Sequence, residues 1–200
     1  MEKVKEKKVP SSAWQHVSSV IDVIYQLQPT SVLDVGIGYG KWAFLCREYL
    51  ESWNNRVFPE QWQVRIDGIE IFAPYCNLPW ISHLYNQIYI GDARLVVNEL
   101  QSRYDVIMAG DVIEHIEKEA GIELLKRLVA LTNKALILSI PIGEAWLGNK
   151  VAAGNPAEKH RASWEIDEVH HAVNPNGELA ATAITFDVLR GPSTLFVFKK

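Results

Sequence analysis

One nine-residue stretch, Val32-Leu33-Asp34-Val35-Gly36-Ile37-Gly38-Tyr39-Gly40, constrains the fold of this chain more than any other feature. An apolar run leads to an acid, and three glycines follow at alternate positions. Glycine permits a tight turn and lets a ligand approach the backbone where a Cβ would block it. A helix that begins after such a turn presents free N–H groups and the positive end of its dipole. The stretch therefore predicts a buried parallel strand that turns sharply into a helix beneath a bound nucleotide.

The spacing of the glycines separates two classes of nucleotide-binding protein. A dinucleotide fingerprint, G-x-G-x-x-G, would need glycine at position 41, where this chain has Lys41. Asp34, just before the glycines, would repel phosphates but suits a ligand that carries an amine and a sulfonium. The stretch resembles motif I of the class I S-adenosylmethionine-dependent methyltransferases.

Strands and helices are predicted to alternate along most of the chain. Short apolar runs predict strands at 31–35, 64–70, 87–90, 104–109 and 135–140. Helical spacing predicts helices at about 11–28, 41–52, 79–85, 95–102, 116–132 and 164–172. This alternation predicts a parallel sheet that is covered on both faces. Two last strands, at 181–189 and 193–199, are separated only by Arg190-Gly191-Pro192, which is too short for a parallel crossover and predicts a hairpin.

The final hairpin agrees with the resemblance to methyltransferases. The resemblance implies an α/β, Rossmann-like three-layer sandwich with a seven-stranded, mostly parallel sheet of order 3-2-1-4-5-7-6, in which strand 7 is antiparallel. We expect a single methyltransferase domain over residues 11–200, preceded by a flexible tail over residues 1–10 in which lysines and glutamates alternate.

The composition of the chain limits the cellular compartment and the binding partners that we expect. The chain is 48% hydrophobic and 22% charged, as in ordinary soluble proteins, and no apolar run is long enough to insert into a membrane. A net charge of −4 argues against general nucleic-acid binding. Its two cysteines form neither a disulfide framework nor a metal-ligand spacing, which favours the cytoplasm. We expect a monomer or homodimer that acts on a small-molecule or glycan substrate.

An acid follows or ends each of the first four predicted strands. Such acids are often turn formers or helix caps, and Asp92 is well placed to cap a helix. The carboxyl ends of parallel strands, however, form the ligand-binding edge of an open sheet. The resemblance implies that S-adenosylmethionine binds there, with S-adenosylhomocysteine as the product, that Glu70 binds the ribose hydroxyls, and that Asp92 and the Ala93 N–H bind the adenine. The predicted cofactor-binding residues are Asp34, Gly36, Gly38, Gly40, Glu70, Ile71, Asp92, Ala93 and Asp111.

The string D-V-I-E-H-I at 111–116 resembles the segment after strand 4 in many small-molecule and ubiquinone-type methyltransferases. His115 within it, and the distant His160, are candidate general bases. Some relatives hold a divalent metal with E-x-x-E-H and a distant histidine, a pattern that Asp111, Glu114, His115 and His160 resemble here. Because the first of these residues is an aspartate, whose side chain is shorter, a divalent metal is possible here but we predict no metal ligands.

The predicted function is transfer of a methyl group to a hydroxyl or amine of a small-molecule, glycan or carrier-bound acceptor. Tyr39, Trp42 and Trp146 are candidate substrate-binding residues, and the glycine-rich loop 141–163 is a candidate lid. Two alternatives stay open. One is a non-catalytic cofactor-binding module of the same fold. The other is an NAD-dependent oxidoreductase or epimerase, which Lys41 and the final hairpin oppose.

Overall fold

A seven-stranded sheet organises residues 11–147, 154–188 and 191–200, which are the residues that the computed structural model describes. The strands are β1 Ser31–Val35, β2 Arg65–Glu70, β3 Gln87–Ile90, β4 Tyr104–Gly110, β5 Thr132–Pro141, β6 Ala180–Val188 and β7 Gly191–Lys199. Their order is β3-β2-β1-β4-β5-β7-β6, and β7 pairs antiparallel with both β5 and β6. The predicted fold class is therefore confirmed, including the order and the antiparallel seventh strand.

Helices cover both faces of the sheet. They are α1 Val17–Leu27, α2 Lys41–Leu50, α3 Ala73–Cys76, α4 Ile81–Leu84, α5 Ala93–Glu99, α6 Lys118–Leu131 and α7 Ile166–Val173. Successive strand residues point to opposite faces, so Val32 packs with residues of α1, α2 and α4, whereas Leu33 packs with residues of α5, α6 and α7. The central strands are buried on both sides, which explains why their sequences are apolar without alternation.

Several predicted boundaries differ from the structure. The first helix was expected from Ser11, but a short 3-10 turn at Trp14–His16 precedes α1. The helical piece expected at 79–85 is present as the shorter α4, and α3 was not predicted. β5 is longer than the predicted 135–140 because its pairing with β4 begins at Thr132 and its antiparallel pairing with β7 continues as far as Pro141. The predicted tail 1–10 and the turn residues Leu189 and Arg190 lie outside the described residues.

The parallel pairing brings the carboxyl ends of β1 to β4 to one edge. Val35 lies beside Ile69 of β2 and Ala109 of β4, and Glu70 lies beside Ile90 of β3. The strand order reverses at β1 and β4, where open α/β sheets bind their ligands. Among the described helices, none has the length and apolar character that crossing a membrane requires.

Candidate functional site

The glycine-rich turn after β1 adopts the backbone conformation that its glycines permit. Gly36, Gly38 and Gly40 all have positive φ angles, of 76°, 48° and 78°. A Cβ on Gly36 would lie 2.6 Å from Cγ2 of Val112, so the turn also packs too closely for a side chain there. The N–H groups of Gly36 and Ile37 both donate to the carbonyl oxygen of Ile69, which joins the turn to β2. The turn is thus held against β2 at the carboxyl edge of the sheet.

Glu70 connects this turn to the end of β2. Its Oε2 accepts the Gly38 N–H at 3.0 Å, and its Oε1 accepts the Phe72 N–H at 2.8 Å. Burial raises the pKa of Glu70, although the two N–H donors oppose that effect. Each carboxylate oxygen has a second lone pair, so the group can still accept hydrogen bonds from a ligand on the turn.

Asp34 lies beneath the turn and is fully buried. Its Oδ2 accepts a hydrogen bond from the Tyr85 hydroxyl at 2.7 Å. Burial raises the pKa of Asp34 to about 7, despite the opposing hydrogen bond from Tyr85. Asp34 has no exposed surface with which to contact a ligand directly.

Asp92 follows β3 and begins α5. Its carboxylate accepts the Arg94 N–H at 2.9 Å, which is the predicted cap, and it also pairs with the Arg94 guanidinium. These bonds lower its pKa. Exposed apolar side chains stand beside it, among them Ile71 and Ile90, while Ala93 is half-buried. An exposed apolar rim next to an acid suits a flat heterocycle that carries an amino group.

Asp111 departs from ordinary backbone geometry. Its φ of +54° places a non-glycine residue in the left-handed region, where strain is often associated with a functional site. Its Oδ1 accepts the Ser139 hydroxyl at 2.9 Å, and its backbone N–H donates to the Ser139 carbonyl oxygen. Burial raises its pKa, against hydrogen bonds from Ser139 and Ser12 and the charge of Lys41.

A second group of polar residues forms where the segment after β4 meets the loop around 160. Glu114 is 1% exposed, and neither of its carboxylate oxygens has a hydrogen-bond partner among the described residues. Burial raises its pKa well above the usual range, and the negative charge of Asp111 adds to this. The Glu114 carbonyl oxygen accepts the N–H groups of Arg161 and Ala162, which holds His160 close by.

Glu114, His115 and His160 each place one ligand-type atom within 4.8 Å of the others. The two imidazole rings meet edge to face, with centroids 4.8 Å apart. A buried carboxylate without hydrogen-bond partners is costly, and a cation bound between it and the two imidazoles would remove that cost. These three residues therefore fit a divalent metal. Asp111, the fourth residue of the sequence pattern, is not in this group.

The three candidate substrate aromatics have different surroundings. Tyr39 is exposed and its ring contacts Trp80, whereas Trp146 is half-buried and its ring stacks on His160 at a centroid distance of 6.2 Å. Trp42 is buried in the core between the sheet and α1 and α2. No ring contact joins these three among the described residues. Of these three rings, that of Trp146 stacks on a candidate general base.

Four residues near the candidate site were not predicted from the sequence. Tyr85 is the partner of Asp34, and Ser139 and Ser12 are partners of Asp111. Glu158 is a further acid whose pKa burial raises, with the nearby charge of Glu70 adding to the shift. Each is brought to the site by tertiary packing from a different part of the chain, and no local motif marks it.

This chain resembles known proteins in its structure. No family model and no curated protein matches the chain. Among solved structures, magnesium protoporphyrin IX methyltransferase (ChlM) from Synechocystis PCC 6803 with bound SAM has a TM-score of 0.63 at 15% identity, over 93% of this chain and 78% of that one. The methyltransferase domain of bacterial CtHen1 has a TM-score of 0.62 at 19% identity, over 92% of this chain and 96% of that one.

An O-methyltransferase family protein from Burkholderia thailandensis has a TM-score of 0.59 at 13% identity. It aligns with 92% of this chain, which spans 55% of that longer protein. At such identities the likeness establishes the fold. The fold of this chain is that of the S-adenosylmethionine-dependent methyltransferases, as the sequence resemblance implied.

Proposed function

We propose that this chain binds S-adenosylmethionine and transfers its methyl group to a hydroxyl or amine of a small-molecule, glycan or carrier-bound acceptor. One observation carries the proposal: acids from four strands surround a positive-φ glycine turn at the carboxyl edge of a sheet with the methyltransferase strand order. Glu70 would accept the ribose hydroxyls and Asp92 the adenine amino group. Asp34 and Asp111 would favour the sulfonium and the ammonium by charge.

The proposed methyl transfer depends more on the alignment of the acceptor, methyl group and sulfur than on the activation of a bond. A lone pair of the acceptor attacks the methyl carbon, the carbon–sulfur bond breaks, and S-adenosylhomocysteine leaves as a neutral thioether. Holding the acceptor, methyl and sulfur in line can supply about 7–11 kcal/mol. A hydroxyl acceptor also loses a proton, and His115 or His160 would take it when its imidazole is not bound to a metal. Trp146, stacked on His160, would border the acceptor.

Calorimetric titration with S-adenosylmethionine, S-adenosylhomocysteine and NAD tests this proposal. We expect micromolar binding of the first two ligands and none of NAD. Binding of NAD alone would support the oxidoreductase alternative, and failure of a folded protein to bind any of the three would overturn the proposal. Binding without turnover across a broad acceptor screen would favour the non-catalytic module.

The Glu114–His115–His160 group supports a second proposal, that the site also holds a divalent cation. Its two orphaned carboxylate oxygens are the observation that favours it. A carboxylate with two imidazoles suits Zn²⁺, Mn²⁺ or Mg²⁺ in different degrees. When bound, such an ion would supply Lewis-acid polarisation of an acceptor hydroxyl. The three side chains themselves would orient the acceptor and exclude water.

Metal binding can be measured without knowing the substrate. Titration of the metal-free protein with Zn²⁺ or Mn²⁺ should show one site, and Glu114→Gln should weaken binding by about 10-fold or more because it removes the charged ligand. His171→Gln, on the exposed face of α7, is the control and should bind as wild type does. Equal binding by wild type and Glu114→Gln, or none by wild type, would contradict the proposal.

A further inference from the structure

Lys41 stands where the glycine-rich turn passes into α2. It is the first residue of α2, directly after Gly40. Its Nζ donates to the Ser12 carbonyl oxygen and lies 4.6 Å from the centre of the Trp42 ring. An ammonium group has three N–H donors, so the bond to Ser12 leaves two for a ligand. Among the described residues, no carboxylate lies within ion-pair distance of this group.

The surroundings of Lys41 are acidic. The charges of Asp111 and Asp34 act on its ammonium and favour the charged form, while burial, the larger effect, lowers the pKa of Lys41 to about 8. Arg94, a cation at the β3 end of this edge, is already paired with Asp92. Arg161, near His160, is paired with Glu117. Within the part of the chain that the structure describes, Lys41 is therefore a cation of the site without an ion-pair partner.

The proposed cofactor needs such a cation. S-Adenosylmethionine ends in an ammonium and a carboxylate. If Glu70 and Asp92 bind the adenosine at the ends of β2 and β3, the methionine part lies over the ends of β1 and β4. Asp34 and Asp111 at those ends attract the sulfonium and the ammonium but repel the carboxylate.

We propose that Lys41 binds the carboxylate of the cofactor's methionine part, an inference that rests on the proposed function. Lys41 then selects a cofactor that carries its complete amino-acid end over decarboxylated or truncated adenosine compounds. The uncapped N-terminus of α2, whose first residue is Lys41, adds a positive dipole end on the same side. This role also accounts for a lysine at the position where a dinucleotide site has glycine.

The test compares two ligands that differ only in the carboxylate, S-adenosylmethionine and decarboxylated S-adenosylmethionine. Calorimetry is performed on wild type, on Lys41→Met and on the control Lys126→Met, which removes an exposed lysine of α6. Wild type should prefer the complete cofactor by about 10- to 100-fold, the range of a charge-assisted hydrogen bond. Lys41→Met should lose that preference by weakening only the complete cofactor, and Lys126→Met should keep it.

The outcomes separate this inference from the proposed function. An equal loss of affinity for both ligands in Lys41→Met would show a structural role for the lysine and overturn the inference. Unchanged binding of both ligands by the variant would overturn it as well, with cofactor binding intact. If wild type binds neither ligand, the proposed function fails, and the inference with it. Thermal unfolding of each variant verifies that the protein is folded.

Discussion

Glu70→Ala is expected to weaken the binding of S-adenosylhomocysteine by about 100-fold or more. The carboxylate holds the glycine turn through the Gly38 N–H and the next segment through the Phe72 N–H. In the proposed complex it also accepts two ribose hydroxyls. Hydrogen bonds to a charged group contribute roughly 1.5–3 kcal/mol each, so losing the two ribose bonds accounts for a loss of this size. Isothermal titration calorimetry measures it directly.

Two further variants make the result on Glu70 specific. Glu70→Gln keeps the shape but not the charge and turns an amide N–H₂ towards a backbone donor, so its affinity should fall between wild type and Glu70→Ala. Glu99→Ala removes an exposed glutamate at the end of α5 and should leave affinity unchanged. A decrease of less than about threefold for a folded Glu70→Ala would contradict the assignment of Glu70 to the ribose.

The sequence specified the sheet better than it specified the site. β1 and β3 begin and end at the predicted residues because glycine or polar residues interrupt their apolar runs at both ends. The final hairpin followed from a short link, which is a local property of the chain. The N-terminal helix was less predictable because Ser12, a good helix cap by type, instead hydrogen-bonds with Asp111. A contact between residues so far apart in the chain has no local signal.

The burial of the acidic residues of the site could not be predicted from the sequence either. The sequence of this chain predicts four acids at the ends of strands, but it does not predict which of them are buried. They are Asp34, Glu70, Asp92 and Asp111. In the structure Asp34 is buried under Tyr85, whereas Asp92 stays at the rim with Arg94. Asp111 of the D-x-x-E-H pattern hydrogen-bonds with Ser139, whereas Glu114 and His115 join His160 in the candidate metal site. Asp111 also has a positive φ, which aspartate adopts more readily than most residues but which the sequence does not specify.

Trp164→Ala is expected to lower the free energy of unfolding by about 3–5 kcal/mol, the usual cost of deleting a fully buried large aromatic ring. The ring is 0% exposed and packs so closely on α6 that a Cβ at Gly121 would lie 2.9 Å from Cζ2 of the indole. The ammonium of Lys118 lies 4.4 Å from the ring centre, and the Trp164 carbonyl oxygen accepts the Gly143 N–H.

The matched control for this variant is Trp14→Ala, because Trp14 has the same side chain but is 78% exposed. Urea unfolding followed by circular dichroism should place this variant within about 0.5 kcal/mol of wild type. Equal effects of the two substitutions would contradict the observed packing.

Trp164 also follows the segment whose Arg161 and Ala162 N–H groups bind the Glu114 carbonyl oxygen. A cavity at position 164 should therefore loosen the link between His160 and Glu114, so Trp164→Ala should weaken metal binding while Trp14→Ala leaves it intact.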